Sequence, residues 1–205
     1  YDFTRPTRVS HDGLKSIKQI HTSYAATLST VISDYLKVPT FSRLAESNQM
    51  AYREFWANIP DNAIMCEISC EPIAGRAVIQ FSPSIADACL DVLMGGTGSS
   101  GSPNVEFTGV DCVMFGRVAD LLMKDYKKEW SRFADINCKL VTCRSASVFN
   151  HPIAPTEMVL TFDYEVRVSS TIGSISICIL ASATTNMPEQ AHEVEKSITI
   201  EDIAS

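Results

Sequence analysis

An α/β domain built from two similar halves is what these 205 residues encode, and three features of the chain point to it. Long segments after Ser10 and after Thr108 carry apolar residues every three to four positions, the period of a helix with one buried face. Each is followed by a pair of β-rich runs joined by a short connection, the pattern of a hairpin. The elements of the second half also repeat the order of the first at a nearly constant distance. The starts at Leu14 and Thr108, Thr40 and Asn137, Ala63 and Glu157, and Gly75 and Gly173 are offset by 94, 97, 94 and 98 residues. A fixed offset across four elements of matching type suggests an internal duplication.

Ser10 can cap the first helix with its side-chain oxygen, and Leu14, Ile17, Ile20, Tyr24, Leu28, Val31 and Tyr35 form its apolar stripe. Pro39 closes it. A short strand-like segment, TFSRLAES, and a helical turn, AYREFWANI, ended by Pro60-Asp61, come next. The runs AIMCEISCEPI and GRAVIQF read as a hairpin with Ala74 and Gly75 at its turn. Ser82-Pro83 then opens a helix over SIADACLDVLM, because proline suits a first helical turn. In the second half Thr108 caps a long helix reaching about Lys128, NCKLVTCRSASV reads as a strand, and MVLTFDYEVRV with GSISICIL as the second hairpin. Val110, Val113, Met114 and Leu121 lie on one side of that long helix and Phe115, Ala119, Leu122 and Tyr126 near the other, so it is expected to be sandwiched. The domain is placed at residues 1–182, with halves of about 10–94 and 108–182. The acidic, proline-marked stretch 183–205 reads as a polar linker or tail.

Composition narrows the function. A chain 45% hydrophobic and 20% charged can bury a core, and its net charge of −7 opposes binding to nucleic acid. No apolar run reaches the roughly 18 residues of a membrane span and the N-terminal YDFTRPTRVS is not a signal peptide, so a cytoplasmic protein is expected. The seven cysteines sit in apolar segments without a C-x-x-C pair, which reads as buried reduced thiols and no metal site. Four scattered histidines and the lack of G-x-S-x-G or H-E-x-x-H motifs offer no catalytic set, and no cofactor is expected. His21 reads as a helix-surface or interface residue.

The stretch MGGTGSSGSP, residues 94–103, contains Gly96-x-Gly98-x-x-Gly101, the spacing of a dinucleotide fingerprint. Its context is reversed. In a nucleotide site the glycines open a helix whose N-terminus faces phosphate. Here they follow a helix, whose terminal carbonyls repel phosphate, and no P-loop lysine is present. Gly95 and Gly96 fit a helix C-cap, leaving a helix-to-helix connector or a docking loop as the readings. Asp87 and Asp91, four apart, share a helix face beside the loop and form either a solvated face or a polar rim.

Several of these segments together resemble the FliM middle-domain family of the flagellar motor switch, within the CheC-like superfamily. The residues that carry the resemblance are the opening YDFTRP with Arg8-Val9-Ser10, Gly75, Pro83 in FSPSIADACLDVLMGG, Gly95-Gly96-Thr97-Gly98 as a Gly-Gly-x-Gly signature, the FTGVD helix start at Phe107, Glu129-Trp130 and Pro155-Thr156-Glu157. The family's Asn-Pro is missing from CRSASVFN, so the loop from Ser145 to Pro155 is expected to be rebuilt.

The resemblance implies a pseudo-symmetric CheC-like α/β fold, two αββ-type halves whose sheet is layered with long helices. It further implies a ring of side-by-side copies at the cytoplasmic face of the inner membrane. FliG would be held by the loop of Gly95, Gly96, Thr97 and Gly98, while FliN and phosphorylated CheY would be bound through regions outside this chain. Contacts between copies are assigned to the polar stripe Lys15, Lys18, Gln19 and Thr22 of the first helix and to Arg117, Asp120 and Lys124 of the second long helix. The competing reading is a CheC-type phosphatase acting on CheY-phosphate, which needs a Glu and, three residues on, an Asn to orient water. The matching positions hold Asp111 and Met114, and the first half's SHDGLKSIKQI holds no such pair, so a non-enzymatic role is expected.

Overall fold

The computed structural model describes residues 11–72, 75–99, 106–131 and 134–184. Ser10, the YDFTRP opening, Gly101 and the 185–205 stretch lie outside them. The elements are α1 (His11–Leu36), β1 (Thr40–Ala51), α2 (Tyr52–Trp56), β2 (Ile64–Glu71), β3 (Gly75–Phe81), α3 (Pro83–Leu93), α4 (Gly109–Trp130), β4 (Asn137–Ser145), β5 (Met158–Val168) and β6 (Thr171–Leu180). Short 3₁₀ turns follow β4 at Ala146–Val148 and β6 at Ala181–Thr184.

Both expected hairpins form, β2 with β3 and β5 with β6. The sheet is antiparallel throughout, in the order β1-β5-β6-β3-β2-β4. This order carries the pseudo-symmetry in a way no local pattern discloses. Each half contributes three strands, and each gives its leading strand to the other half's hairpin: β1 joins β5, β4 joins β2, and the halves meet at β3 and β6. The short turns repeat as well, with α2 between β1 and β2, and the 3₁₀ turn Ala146–Val148 between β4 and β5.

Strand alternation divides the buried side chains between two faces. Cys66, Ile68, Ile79, Phe162, Tyr164 and Ile177 point into the main core beneath α1, α3 and α4. Met65, Val78, Val159 and Cys178 point the other way, into a second cluster capped by Tyr52, Phe55, Phe149 and Ile153. The first helix packs Ile17, Ile20, Tyr24, Leu28, Ile32 and Leu36 inward. Its stripe ends one residue later than periodicity suggested, since Leu36 is buried while Tyr35 is 37% exposed. Helix α4 begins at a capping box: Asp111 N–H donates to the Thr108 hydroxyl, and Thr108 N–H donates to the Asp111 carboxylate at 2.7 Å.

Three expectations are corrected. Helix α4 is not sandwiched: Phe115, Ala119, Leu122 and Tyr126 are buried, but Val110 and Val113 are more than 70% exposed because no described element covers that side. His21 is not on the surface but fully buried, where α1 crosses β5. The folded region also runs past residue 182, with Ala181 and Ala183 buried in the 3₁₀ turn that ends β6.

Candidate functional site

The glycine stretch is built outward from the end of α3. Gly95 N–H donates to the Val92 carbonyl and Gly96 N–H to the Asp91 carbonyl, at 2.9 and 2.7 Å, which together form a Schellman cap. That cap requires a left-handed residue, and Gly95 supplies it with φ of +95°. Gly98 is also left-handed, at φ +77°, and is buried against Val92 and Ser169. Its N–H donates to the Asp91 carboxylate at 2.8 Å, and its carbonyl accepts from the Thr171 hydroxyl at 2.8 Å. Thr97 and Ser99 hydroxyls share a further bond at 3.1 Å.

The loop is therefore anchored at several points rather than being a slack connector. Asp91 is half-buried and turned into the loop, where its carboxylate occupies the space that a β-carbon on Gly96 would need. Asp87 is likewise half-buried on the same helix face. What the loop offers to solvent is backbone, at the exposed Gly95, Gly96 and Thr97, beside the 74% exposed side chain of Met94.

Two contributors escape a reading of the sequence. Thr171 lies 73 residues beyond Gly98 and begins β6, so only the fold brings them together. Met94 carries a local signal, an apolar residue ahead of two glycines, but its exposure follows from the cap turning the chain away from the core. The β5–β6 tip that supports Gly98 also bears an exposed cross-strand row, in which Phe41 opposes Arg167 and Arg167 opposes Ile172. The Arg167 guanidinium sits 4.8 Å from the Phe41 ring centroid, a cation–π contact.

Lys15, Lys18, Gln19 and Thr22 are exposed on α1, as are Arg117 and Lys124 on α4, with Asp120 half-buried. The Thr22 hydroxyl donates to the Lys18 carbonyl at 2.8 Å.

Among the described residues no acid–base or nucleophilic set assembles near the loop. His21 is a core residue. Its ring stacks on Phe162 with centroids 3.4 Å apart, Nδ1 lies 2.6 Å from the Tyr164 hydroxyl and Nε2 3.0 Å from that of Tyr126. Burial holds its pKa well below 6.5, so the ring is neutral and joins α1, α4 and β5. The Asp111 carboxylate is committed to its own helix cap, and Met114 has no amide with which to orient water. Among the described residues no group of three or more His, Cys, Asp or Glu could hold a metal ion. No described helix is long and apolar enough to cross a membrane.

An antiparallel six-stranded sheet of two similar halves, covered by helices and carrying a pinned glycine turn at the end of α3, defines the class of fold. Comparison with known proteins gives the particular family. The family model for the flagellar motor switch protein FliM matches residues 10–188, and the chain belongs to that family. The FliM of Treponema pallidum is 26% identical over 179 residues, covering 87% of this chain and 52% of that protein. A chain in the crystal structure of the FliG–FliM complex from H. pylori superposes with a TM-score of 0.81 at 25% identity, over 87% of this chain and 100% of that one. The FliM middle domain from H. pylori has the same fold, with a TM-score of 0.76 at 23% identity over 86% and 99% of the two chains. The chain spans about half the length of the curated relatives it matches.

Proposed function

We propose that this chain is a non-enzymatic structural and adaptor module of the bacterial flagellar motor switch, the C-ring, and that it holds FliG through Gly95, Gly96, Thr97 and Gly98. The observation that carries this reading is the pinned, exposed glycine turn. A backbone already fixed by Asp91 and Thr171 loses little conformational freedom on docking, and residues without side chains let a partner's surface approach the main chain. Met94 supplies an apolar contact beside it. Membership of the FliM family and the likeness to a chain of the FliG–FliM complex support the same partner.

In this account neighbouring copies meet through Lys15, Lys18, Gln19 and Thr22 of α1 and Arg117, Asp120 and Lys124 of α4. Asp120 is the one acid in this set, so it is the residue that faces a lysine of the next copy. The excess of positive charge on both faces keeps isolated copies apart until FliG aligns them. FliN and phosphorylated CheY are bound through segments outside this chain. The assembly works at the cytoplasmic face of the inner membrane, in switching the direction of rotation during chemotaxis and motility.

The test is a calorimetric titration of FliG with the wild-type chain and Gly96→Val. The valine needs the space held by the Asp91 carboxylate, so it breaks the Gly98 anchor without touching the core. A drop in affinity of about tenfold or more, about 1.4 kcal/mol, with an unchanged circular dichroism spectrum is expected. Equal affinity for the two proteins would return the loop to the role of a connector.

A further inference from the structure

Five of the seven cysteines gather where β2, β4 and α4 meet, and the switch function uses none of them. Cys70 and Cys138 are directly opposed in the β2–β4 register, as are Cys66 and Cys143, and all four point to the α4 side of the sheet. The Cys70 and Cys138 sulfurs lie 2.6 Å apart and the Cys66 and Cys143 sulfurs 3.1 Å apart. Cys112 of α4 is in contact with Cys143. The two pairs differ in access. Cys66 is 0% and Cys143 7% exposed, Cys143 lying at the floor of a groove between α4 and β4, whereas Cys138 is half-buried on the edge strand β4, in front of the fully buried Cys70.

We infer that Cys70 and Cys138 are a thiol–disulfide site that reacts with small-molecule disulfides of the glutathione type, Cys138 being the solvent-facing sulfur that attacks and Cys70 the one that resolves. The Cys138 thiolate attacks one sulfur of the small disulfide, forms a mixed disulfide and releases one small thiolate, which takes up the proton lost by Cys138. The Cys70 sulfur then attacks Cys138 Sγ, loses its proton and expels the second small thiol. The balance is one small disulfide consumed, two small thiols released, and one S–S bond formed with loss of two hydrogens from the protein. Directly opposed strand residues bring their β-carbons close to the separation a disulfide requires, so closure needs no rearrangement of the sheet. The bridge ties the edge strand β4 to β2 beside the Tyr126 end of α4. The hydrogen bond to Cys138 and burial both push the Cys70 thiol up, so it gives up its proton only as it attacks the mixed disulfide.

The experiment incubates the folded chain with glutathione disulfide, blocks free thiols with an alkylating reagent in denaturant and maps the peptides by mass spectrometry. The expected product is a linked Cys70–Cys138 peptide pair, with Cys66, Cys112 and Cys143 alkylated. Cys70→Ser is expected to trap glutathione on Cys138, and Cys138→Ser to leave Cys70 free. Circular dichroism of both variants checks their folding, and the wild-type map tests the pair without relying on them. Full alkylation of Cys70 and Cys138 after incubation, a bridge that forms only in denaturant, or glutathione on Cys70 in Cys138→Ser would each overturn the inference.

Discussion

Replacing Asp91 with alanine removes the hinge pin of the glycine loop while leaving every loop residue in place. The carboxylate takes a 2.8 Å hydrogen bond from the N–H of Gly98, a residue whose own position is buried. Hydrogen bonds to a charged acceptor contribute about 1.5–3 kcal/mol, and a buried donor left without a partner costs about 1–3 kcal/mol. Asp91 is half-exposed and water can partly replace it, so the lower part of that range applies: a loss of about 1–2 kcal/mol of domain stability. The helix cap survives, because Gly95 and Gly96 donate to backbone carbonyls rather than to the side chain. What changes is the order of Gly98, now held only by Thr171. Since the loop must then be ordered on binding, FliG affinity is expected to fall about five- to thirtyfold, the same 1–2 kcal/mol. Urea unfolding reads the first quantity and calorimetric titration the second. Stability lowered as expected with FliG affinity unchanged would refute the claim that the pinned geometry is what FliG recognises.

Other consequences follow from the rest of the structure. Because burial lowers the His21 pKa below 6.5, the folded protein binds fewer protons than the unfolded chain in the acid range. Its stability is complete above pH 6.5 and declines as pH falls below it, by up to about 1.4 kcal/mol per pH unit from this group. His21→Phe, compared with the wild type by urea unfolding at several pH values, is expected to remove that component. It is also expected to cost about 1–3 kcal/mol at neutral pH by orphaning the Tyr126 hydroxyl, whereas that of Tyr164 keeps the main-chain carbonyl of position 21 at 3.4 Å. Thr108→Ala removes the side-chain half of the α4 capping box and is expected to lower stability by about 1 kcal/mol in the same assay. Dephosphorylation of CheY-phosphate in the presence of the chain is expected to proceed at the spontaneous rate, since Asp111 is held in its cap and Met114 offers water no partner. Any gain in the double variant Asp111→Glu with Met114→Asn would show that α4 still presents a response-regulator groove.

What could be read in advance follows the range of the interaction concerned. The caps of α3 and α4, the hairpins β2–β3 and β5–β6, and the breaks at Pro39 and Gly95 are set by neighbours a few residues apart, and each lies where local chemistry puts it. The exchange of β1 and β4 between halves joins segments more than sixty residues apart, and strand periodicity carries no record of a partner. His21 is a different case: Ile17 and Tyr24, four residues before and three after it, put it on the apolar side of α1, but the polar ring argued against burial, and only Tyr126, Phe162 and Tyr164, brought in by α4 and β5, make a buried imidazole tenable. Val110 and Val113 misled in the opposite sense, since apolar residues on the outer side of α4 signal a cover that the described residues do not supply. At the candidate site, the glycines were legible as a helix stop with unusual backbone freedom. The roles of Asp91 as anchor and of Thr171 as its counterpart required the loop to be seen folded against β6.

The most direct test of the central claim is a hydrogen–deuterium exchange footprint of FliG on this chain, which needs no substitution and no assumption about which residues touch. Amides of residues 94–99 exchange from an exposed turn in the free chain, apart from those bonded at Met94, Gly95, Gly96 and Gly98. The account predicts that FliG slows exchange at Thr97 and its neighbours and along the adjoining β5–β6 tip, leaving α1 and the outer face of α4 unchanged. Protection confined to α1 or α4, with the 94–99 turn exchanging as in the free chain, would contradict it.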